Sequence, residues 1–161
     1  MKEDDQEEVP IVPPRADLPE GVPNYVTQAG MDELLAEKEA LIAERSQPDG
    51  INENEKRIAL NHINARMQLL ENRIATARIV KPDKEGHDEI RFGAVVKLRM
   101  AANGSVQTIQ IVGVDEADFS KGKIAFTSPL AKALINKKKG EKAVLKRDRK
   151  ELVFEIVDIN Y

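Results

Sequence analysis

Six apolar residues between positions 60 and 77 set the strongest constraint on what this chain can fold into. Leu60, Ile63, Met67, Leu70, Ile74 and Ala77 are separated by 3, 4, 3, 4 and 3 positions. On an α-helix that spacing makes one unbroken a/d seam, which has to be covered by another helix. A second stripe lies upstream, where Leu34, Leu35, Leu41 and Ile42 repeat at seven-residue spacing behind Thr27, a candidate N-cap. Pro48-Asp49-Gly50 stands between the stripes, and its proline and Asp-Gly pair suit a reversal of the chain. The expectation is an antiparallel helical hairpin, a coiled coil over residues 25–80, with its first arm ending near residue 45 or 46 and its second running over residues 52–77. Each stripe would be stranded in water without the other, and the chain lacks the further helices of an ordinary bundle.

Residues 1–24 differ in character from the rest of the chain. They hold seven acids against two bases, a local charge of 2 − 7 = −5, and five of the eight prolines. Such a composition buries too little apolar surface to offset chain entropy, so an extended or disordered tail is expected. Within it, Val9-Pro10-Ile11-Val12-Pro13-Pro14 is a candidate docking peptide. A linker over residues 81–91, marked by Pro82 and Gly86, leads to a domain over residues 92–161. There, strands are predicted at 94–98, 108–112, 123–126, 143–146 and 152–159, with a turn at Asn103-Gly104 and a helix at 129–135. Ser128 suits the cap of that helix and Pro129 its first position. The last strand sets Leu152, Phe154, Ile156 and Val157 against Glu155 and Asp158, so one face is buried. The fold class is therefore α+β: a hairpin followed by a mostly antiparallel sheet with one short helix.

Composition removes several chemistries. There is no cysteine, which excludes disulfides, thiol catalysis and cysteine-ligated zinc. His62 and His87 have no companion cluster and are read as incidental. Four Phe, two Tyr and no Trp are too few rings for a base-stacking surface. No apolar run reaches the ~20 residues of a membrane span, and the acidic start is unlike a signal peptide, so the expected location is cytoplasmic. Asp115, Glu116 and Asp118 lack the alternating oxygen ligands of a calcium loop and are expected to form an exposed acidic turn. Lys137-Lys138-Lys139, with Lys142, Lys146, Arg147, Arg149 and Lys150 downstream, offers phosphate attraction. A formal net charge of −3 argues against autonomous nucleic-acid binding, so such contact is expected only within a larger assembly.

Two ordered blocks carry a resemblance. Ile111-Val112-Gly113-Val114-Asp115-Glu116-Ala117-Asp118 and Ser128-Pro129-Leu130-Ala131-Lys132-Ala133-Leu134-Ile135, in this order and behind a helical hairpin, resemble the C-terminal domain of the GreA/GreB transcript cleavage and elongation factors over residues 92–161. The resemblance implies a domain like that of FK506-binding proteins, a helix packed on a curved sheet. Prolyl isomerase activity is not expected, because the aromatic rings that line such a pocket are scarce here. Bacterial RNA polymerase is the implied partner. Thr127, Ser128, Pro129, Leu130 and Lys132 are the implied polymerase-binding residues, with Thr127 where an aspartate is often found.

The resemblance also implies that the hairpin enters the polymerase secondary channel, where acids at its tip help hold a magnesium ion for hydrolysis of backtracked RNA. The family tip reads as an aspartate, two variable residues, Glu-Asn, a small residue, an acid and a tyrosine. Here Asp49 and Glu53-Asn54 stand with one extra residue between them, and Lys56 or Arg57 lies near the place of the tyrosine. Asp49 and Glu53 are the candidate catalytic and magnesium-sharing residues; no cofactor is expected to be held stably by the chain alone. Aligned on the seam, each arm is about two turns shorter than in the family, and a carboxylate that stops short of the ion cannot bind it, since magnesium takes oxygen at about 2.0 to 2.1 Å. The expectation is a monomeric polymerase-binding regulator, not itself an enzyme, with cleavage stimulation reduced or lost. The alternatives are an active transcript cleavage factor and a protein-interaction adaptor unrelated to transcription.

Overall fold

The computed structural model describes residues 12–82 and 88–161. His87, Gly86 and residues 9–11 of the candidate docking peptide lie outside the described residues. The described residues divide into two compact units, one built from residues 12–17 and 31–77, the other from residues 18–30, 78–82 and 88–161. No helix among the described residues is long and apolar enough to cross a membrane.

The first unit contains most of helix α1 (Gln28–Ser46) and helix α2 (Glu53–Thr76). Leu34 and Leu41, one heptad apart, are buried on α1, and Ile63, Met67 and Leu70 are buried on α2. Leu35, expected on the same stripe, is instead 44% exposed. A stripe two residues wide at each heptad exceeds what a single facing helix covers, so Leu35 turns to water while Ile42 stays half-buried. Arg66 pairs with Glu44 at 3.1 Å. One heptad earlier on α1 and one later on α2, Arg15 pairs with Glu37 at 2.6 Å and Arg73 donates to the carbonyl of Ala16. These contacts run the two helices in opposite directions and fix residues 15 and 16 against them.

The second unit begins with strand β1 (Asn24–Val26), which pairs with β2 (Ala77–Ile79) in a two-stranded sheet. Neither strand was expected from the sequence. Asn24 and Val26 are buried, so order reaches back into the proline-rich segment. The main sheet comprises β3 (Val95–Met100), β4 (Val106–Val112), β5 (Lys123–Ala125), β6 (Lys142–Arg147) and β7 (Lys150–Asn160) in the order β5-β4-β3-β7-β6. Three of its pairings are antiparallel, while β4 and β5 run parallel. Helix α3 (Pro129–Leu134) packs Ala131 and Leu134 onto a core that includes Val96, Leu98, Ile111, Phe154 and Ile156. Strand alternation supplies the inward-facing residues, and burial of this apolar set is the main term that holds the unit together. The chain is thus α+β with a mixed sheet.

Candidate functional site

Three places carry the polar and exposed apolar groups on which a function can rest. The first is the connection between α1 and α2. Asn52 caps α2, its side chain accepting from the backbone N–H of Glu55 at 2.9 Å, and the Glu55 carboxylate reaches back to the N–H of Ile51 at 2.7 Å. This near-reciprocal arrangement closes the first turn of the helix with its own residues. Gly50 has φ +142°, and a Cβ there would lie 2.8 Å from Glu55 Cβ, so the connection folds tightly over the helix start. Asp49 and Glu53 are both exposed on this tip. Ile51 stands between them and is 94% exposed. Because Glu55 is engaged with the backbone, Asp49 and Glu53 are the acids the tip presents. Among the described residues no group of three or more His, Asp or Glu could hold a metal ion.

The second place surrounds the start of α3. Ser128 caps the helix, its Oγ accepting from the N–H of Ala131 at 3.3 Å, and Pro129 occupies the first turn, where a missing N–H costs nothing. Ser128, Pro129 and Leu130 line a cleft of about 560 Å³ with an apolar floor that includes Ile124, Leu152 and Phe154. Phe119, 82% exposed, forms part of its wall, and Lys146 and Arg147 lie on its rim. Thr127 is half-buried and Lys132 exposed, and neither lines the cleft. Of the five residues singled out from the sequence, three therefore converge on one concavity. Phe119 was missed as a surface group because a lone phenylalanine in a sequence reads as core.

The third place corrects an expectation. Glu116 is not part of an exposed acidic turn: it is only 7% exposed. Its Oε2 accepts from the backbone N–H groups of Thr27 and Gly113, each at 3.0 Å, and its Oε1 accepts from the Thr27 hydroxyl. Thr27 Oγ1 in turn accepts from the N–H of Gly30 at 3.0 Å. The carboxylate thus supports the first turn of α1 through its N-cap. A Cβ on Gly30 would lie 2.1 Å from Glu116 Cδ, and one on Gly113 would lie 2.4 Å from the carbonyl oxygen of Tyr25. Both glycines make the room the carboxylate and β1 occupy. Tyr25 packs at a tilt against Phe92 and Phe126 at centroid distances of 6.0 and 5.5 Å, which holds β1 on the domain. Asp118 caps the 3-10 turn Phe119–Lys121, and the Ser120 hydroxyl at 2.6 Å holds its carboxyl below the usual range against a smaller opposing effect of desolvation.

Residues 84–161 match the family described as "Transcription elongation factor, GreA/GreB, C-term". Residues 84–161 thus form a C-terminal domain of GreA/GreB type. It is 38% identical over 101 residues to the transcription elongation factor GreA of Anaeromyxobacter sp. (strain K), a match covering 63% of this chain and 61% of that protein. It is 33% identical over 99 residues to GreA of Nitratidesulfovibrio vulgaris (strain DP4), covering 62% of this chain and 61% of that protein. The matched stretch spans about three-fifths of the length of these GreA relatives. Among solved structures, the GreA factor homolog 1 (Gfh1) of Thermus thermophilus is 25% identical with a TM-score of 0.41, covering 85% of this chain and 98% of that one. The Ser128-Pro129 cap, the cleft and the Glu116 network all fall within the GreA/GreB match or are reached from it.

Proposed function

We propose that this chain is a transcription elongation regulator of GreA/GreB type that binds bacterial RNA polymerase and acts through its secondary channel, with stimulation of transcript cleavage reduced or lost. The observation that carries the polymerase reading is the match of residues 84–161, which holds the cleft bordered by Ser128, Pro129 and Leu130. An apolar floor beside exposed Phe119 and Lys146 suits a protein surface with apolar and acidic groups. Thr127 and Lys132 flank that contact. The helix on the sheet supports an FKBP-like reading of the domain, and the opposed helices α1 and α2 support a coiled-coil hairpin. The protein works as a cytoplasmic monomer and as an accessory to the polymerase, which supplies the active site.

Diminished cleavage rests on the tip. Asp49 and Glu53 would share a magnesium ion with the polymerase; two exposed carboxylates satisfy the one or two that magnesium commonly takes from protein, with the other ligands coming from elsewhere. That ion would position and activate a hydrolytic water. The chain's own share is to carry the two acids to it. Helix α1 has 19 residues and so measures about 28 Å at 1.5 Å per residue, a short arm for the task. Gly50 and Glu55 hold the tip folded against α2, and Ile51 presents an apolar group where only ligands would help.

The test is RNA cleavage in backtracked elongation complexes with the cognate polymerase at fixed magnesium, comparing wild type with Asp49→Asn/Glu53→Gln. Bound wild type that leaves cleavage unchanged or slows it supports the proposal. If wild type accelerates cleavage and the double substitution abolishes it while binding persists, the chain is an active cleavage factor. A failure to bind polymerase at tens of micromolar would sink both readings and leave the interaction adaptor.

A further inference from the structure

The turn between β6 and β7 breaks a local rule in a way that points to a ligand. Arg147 pairs with Lys150 across the ladder, so Asp148 and Arg149 alone make the turn. Their φ values are +48° and +67°. A two-residue hairpin with positive φ at both positions is the type I′ geometry, for which Asn-Gly or Asp-Gly is the usual choice. Arginine at the second position is strained there, because its Cβ crowds the backbone where glycine has none. Nothing in the fold of the hairpin asks for that side chain, since Arg149 is fully outside the core and makes no ion pair with any described residue.

The neighbourhood repeats the same charge. Lys146, Arg147, Arg149 and Lys150 are all exposed, and with Asp148 they give residues 146–150 a charge of 4 − 1 = +3 in a chain of −3. None of the four forms an ion pair with a described residue. The acids nearby temper the base of the hairpin: Glu151 lies opposite Lys146 in the ladder, and Glu155 lies opposite Lys142 and pairs with Arg99. The surplus is therefore concentrated at the tip. Lys138 and Lys139, by contrast, are taken up by Asp88 and Asp158.

We propose that the β6–β7 tip, through Arg147, Arg149 and Lys150, binds the phosphate backbone of nucleic acid without regard to sequence. Guanidinium groups present paired donors that match phosphate oxygens, and a lysine adds a point charge. No aromatic ring lies on the tip, so bases are not stacked and the contact is electrostatic. From Lys142 to Arg147 the strand covers about 17 Å at ~3.3 Å per residue, which is about five nucleotide steps at 3.4 Å each. The contact is weak in a chain of net negative charge. It rests on the proposed function to the extent that a polymerase holds the protein near nucleic acid, where a weak contact becomes intramolecular.

The test uses the full chain and fluorescently labelled 20-mers, one duplex DNA and one single-stranded RNA, with anisotropy read from 20 to 200 mM salt. For three neutralised phosphates, log K against log salt should fall with a slope of about −3 for the duplex and about −2 for the single strand. Arg149→Glu/Lys150→Glu, which leaves the cleft residues in place, should weaken binding at least tenfold at the lowest salt with an unchanged melting temperature. Arg149→Gly should weaken binding about threefold and raise the melting temperature, because it relieves the turn while removing a charge. No binding at 20 mM salt would overturn the proposal, as would binding indifferent to the charge reversal. Equal binding of polyglutamate would assign the tip to an acidic protein surface instead. Polymerase binding, measured separately on the same variants, should persist, so a failure here is distinguishable from a failure of the polymerase reading.

Discussion

The two long helices begin with the same chemical need and meet it in opposite ways. Each start exposes backbone N–H groups that have no partner inside the helix. At α2 the answer is local: Asn52 caps, and Glu55, three residues on, turns back to the N–H of Ile51. At α1 the cap is Thr27, but the residue three positions on is Gly30, which has no carboxylate to return. Glu116 takes that role from 89 residues away, binding the N–H and hydroxyl of Thr27. The missing side chain and the distant acid are one device, since a Cβ on Gly30 would occupy the space of the Glu116 carboxyl. A local cap stabilises one helix end, whereas a distant one ties that end to the β4–β5 connection. A negative group at a helix N-terminus is favourable in both cases.

The largest expected effect therefore lies at Glu116. Replacing it with alanine leaves two backbone N–H groups and a hydroxyl without their acceptor in a buried site, and each such group costs about 1 to 3 kcal/mol. Glu116→Ala should destabilise the second unit by about 3 kcal/mol, with the loss read in urea unfolding and in faster hydrogen exchange at the Thr27 and Gly113 amides. If those amides stay protected, Glu116 does not cap α1. Next in size, Gly30→Ala should be destabilising by about 2 kcal/mol through overpacking, although the same change in an exposed helix would stabilise by up to about 1 kcal/mol. The sign of that effect separates the two accounts of the glycine. Combined with Glu116→Ala, it should cost little more than Glu116→Ala alone, because the clash disappears with the carboxylate.

This contrast also explains what could be read from the chain and what could not. The Ser128-Pro129 start of α3 and the alternation of β7 are local patterns and were legible from near neighbours; the Asn52–Glu55 cap of α2 is equally local but was not read. The fold class followed from such patterns, and the family resemblance from the two ordered blocks at residues 111–118 and 128–135. Strands β1 and β2 are three residues each and pair across some fifty positions, and all but Asn24 fall within the span expected to be helical hairpin. Glu116 sits beside Asp115 and Asp118, and nothing local separates a buried acid from its solvated neighbours. One signal was present: Gly113 followed by Glu116 permits a backbone-to-carboxylate bond three residues apart. At the candidate site, Ser128, Pro129 and Leu130 were legible through their cap, while exposed Phe119, brought into the same cleft by the fold, was not.

At the locally capped end the effect should be smaller. Glu55→Ala removes one exposed hydrogen bond and should cost about 1 kcal/mol, confined to fraying of the first turn of α2 and read as lost protection there. Helical content elsewhere and the melting of the second unit should not change. A loss as large as that at Glu116 would mean that the tip, too, is tied to distant structure.

The smallest effect tests a second long-range tie, one made by a neutral group. The Tyr161 hydroxyl donates to the carbonyl of Glu89 at 2.6 Å and accepts from the N–H of Arg91 at 2.9 Å, joining the segment after β7 to one some seventy residues back. Partial burial raises its pKa above the ordinary phenol value, against an opposing hydrogen bond from Arg91. The neutral form is therefore favoured in the folded state. Its contribution is complete below the unfolded value of about 10 and is lost as pH rises through the higher folded value. Tyr161→Phe should cost about 0.5 kcal/mol at neutral pH, the low end for a hydrogen bond at a partly exposed site. Between pH 9 and 11 the wild type should lose stability faster than the phenylalanine variant, as measured by urea unfolding at each pH. Parallel curves would show that the hydroxyl titrates alike in both states and that this tie adds nothing to the pH dependence of stability.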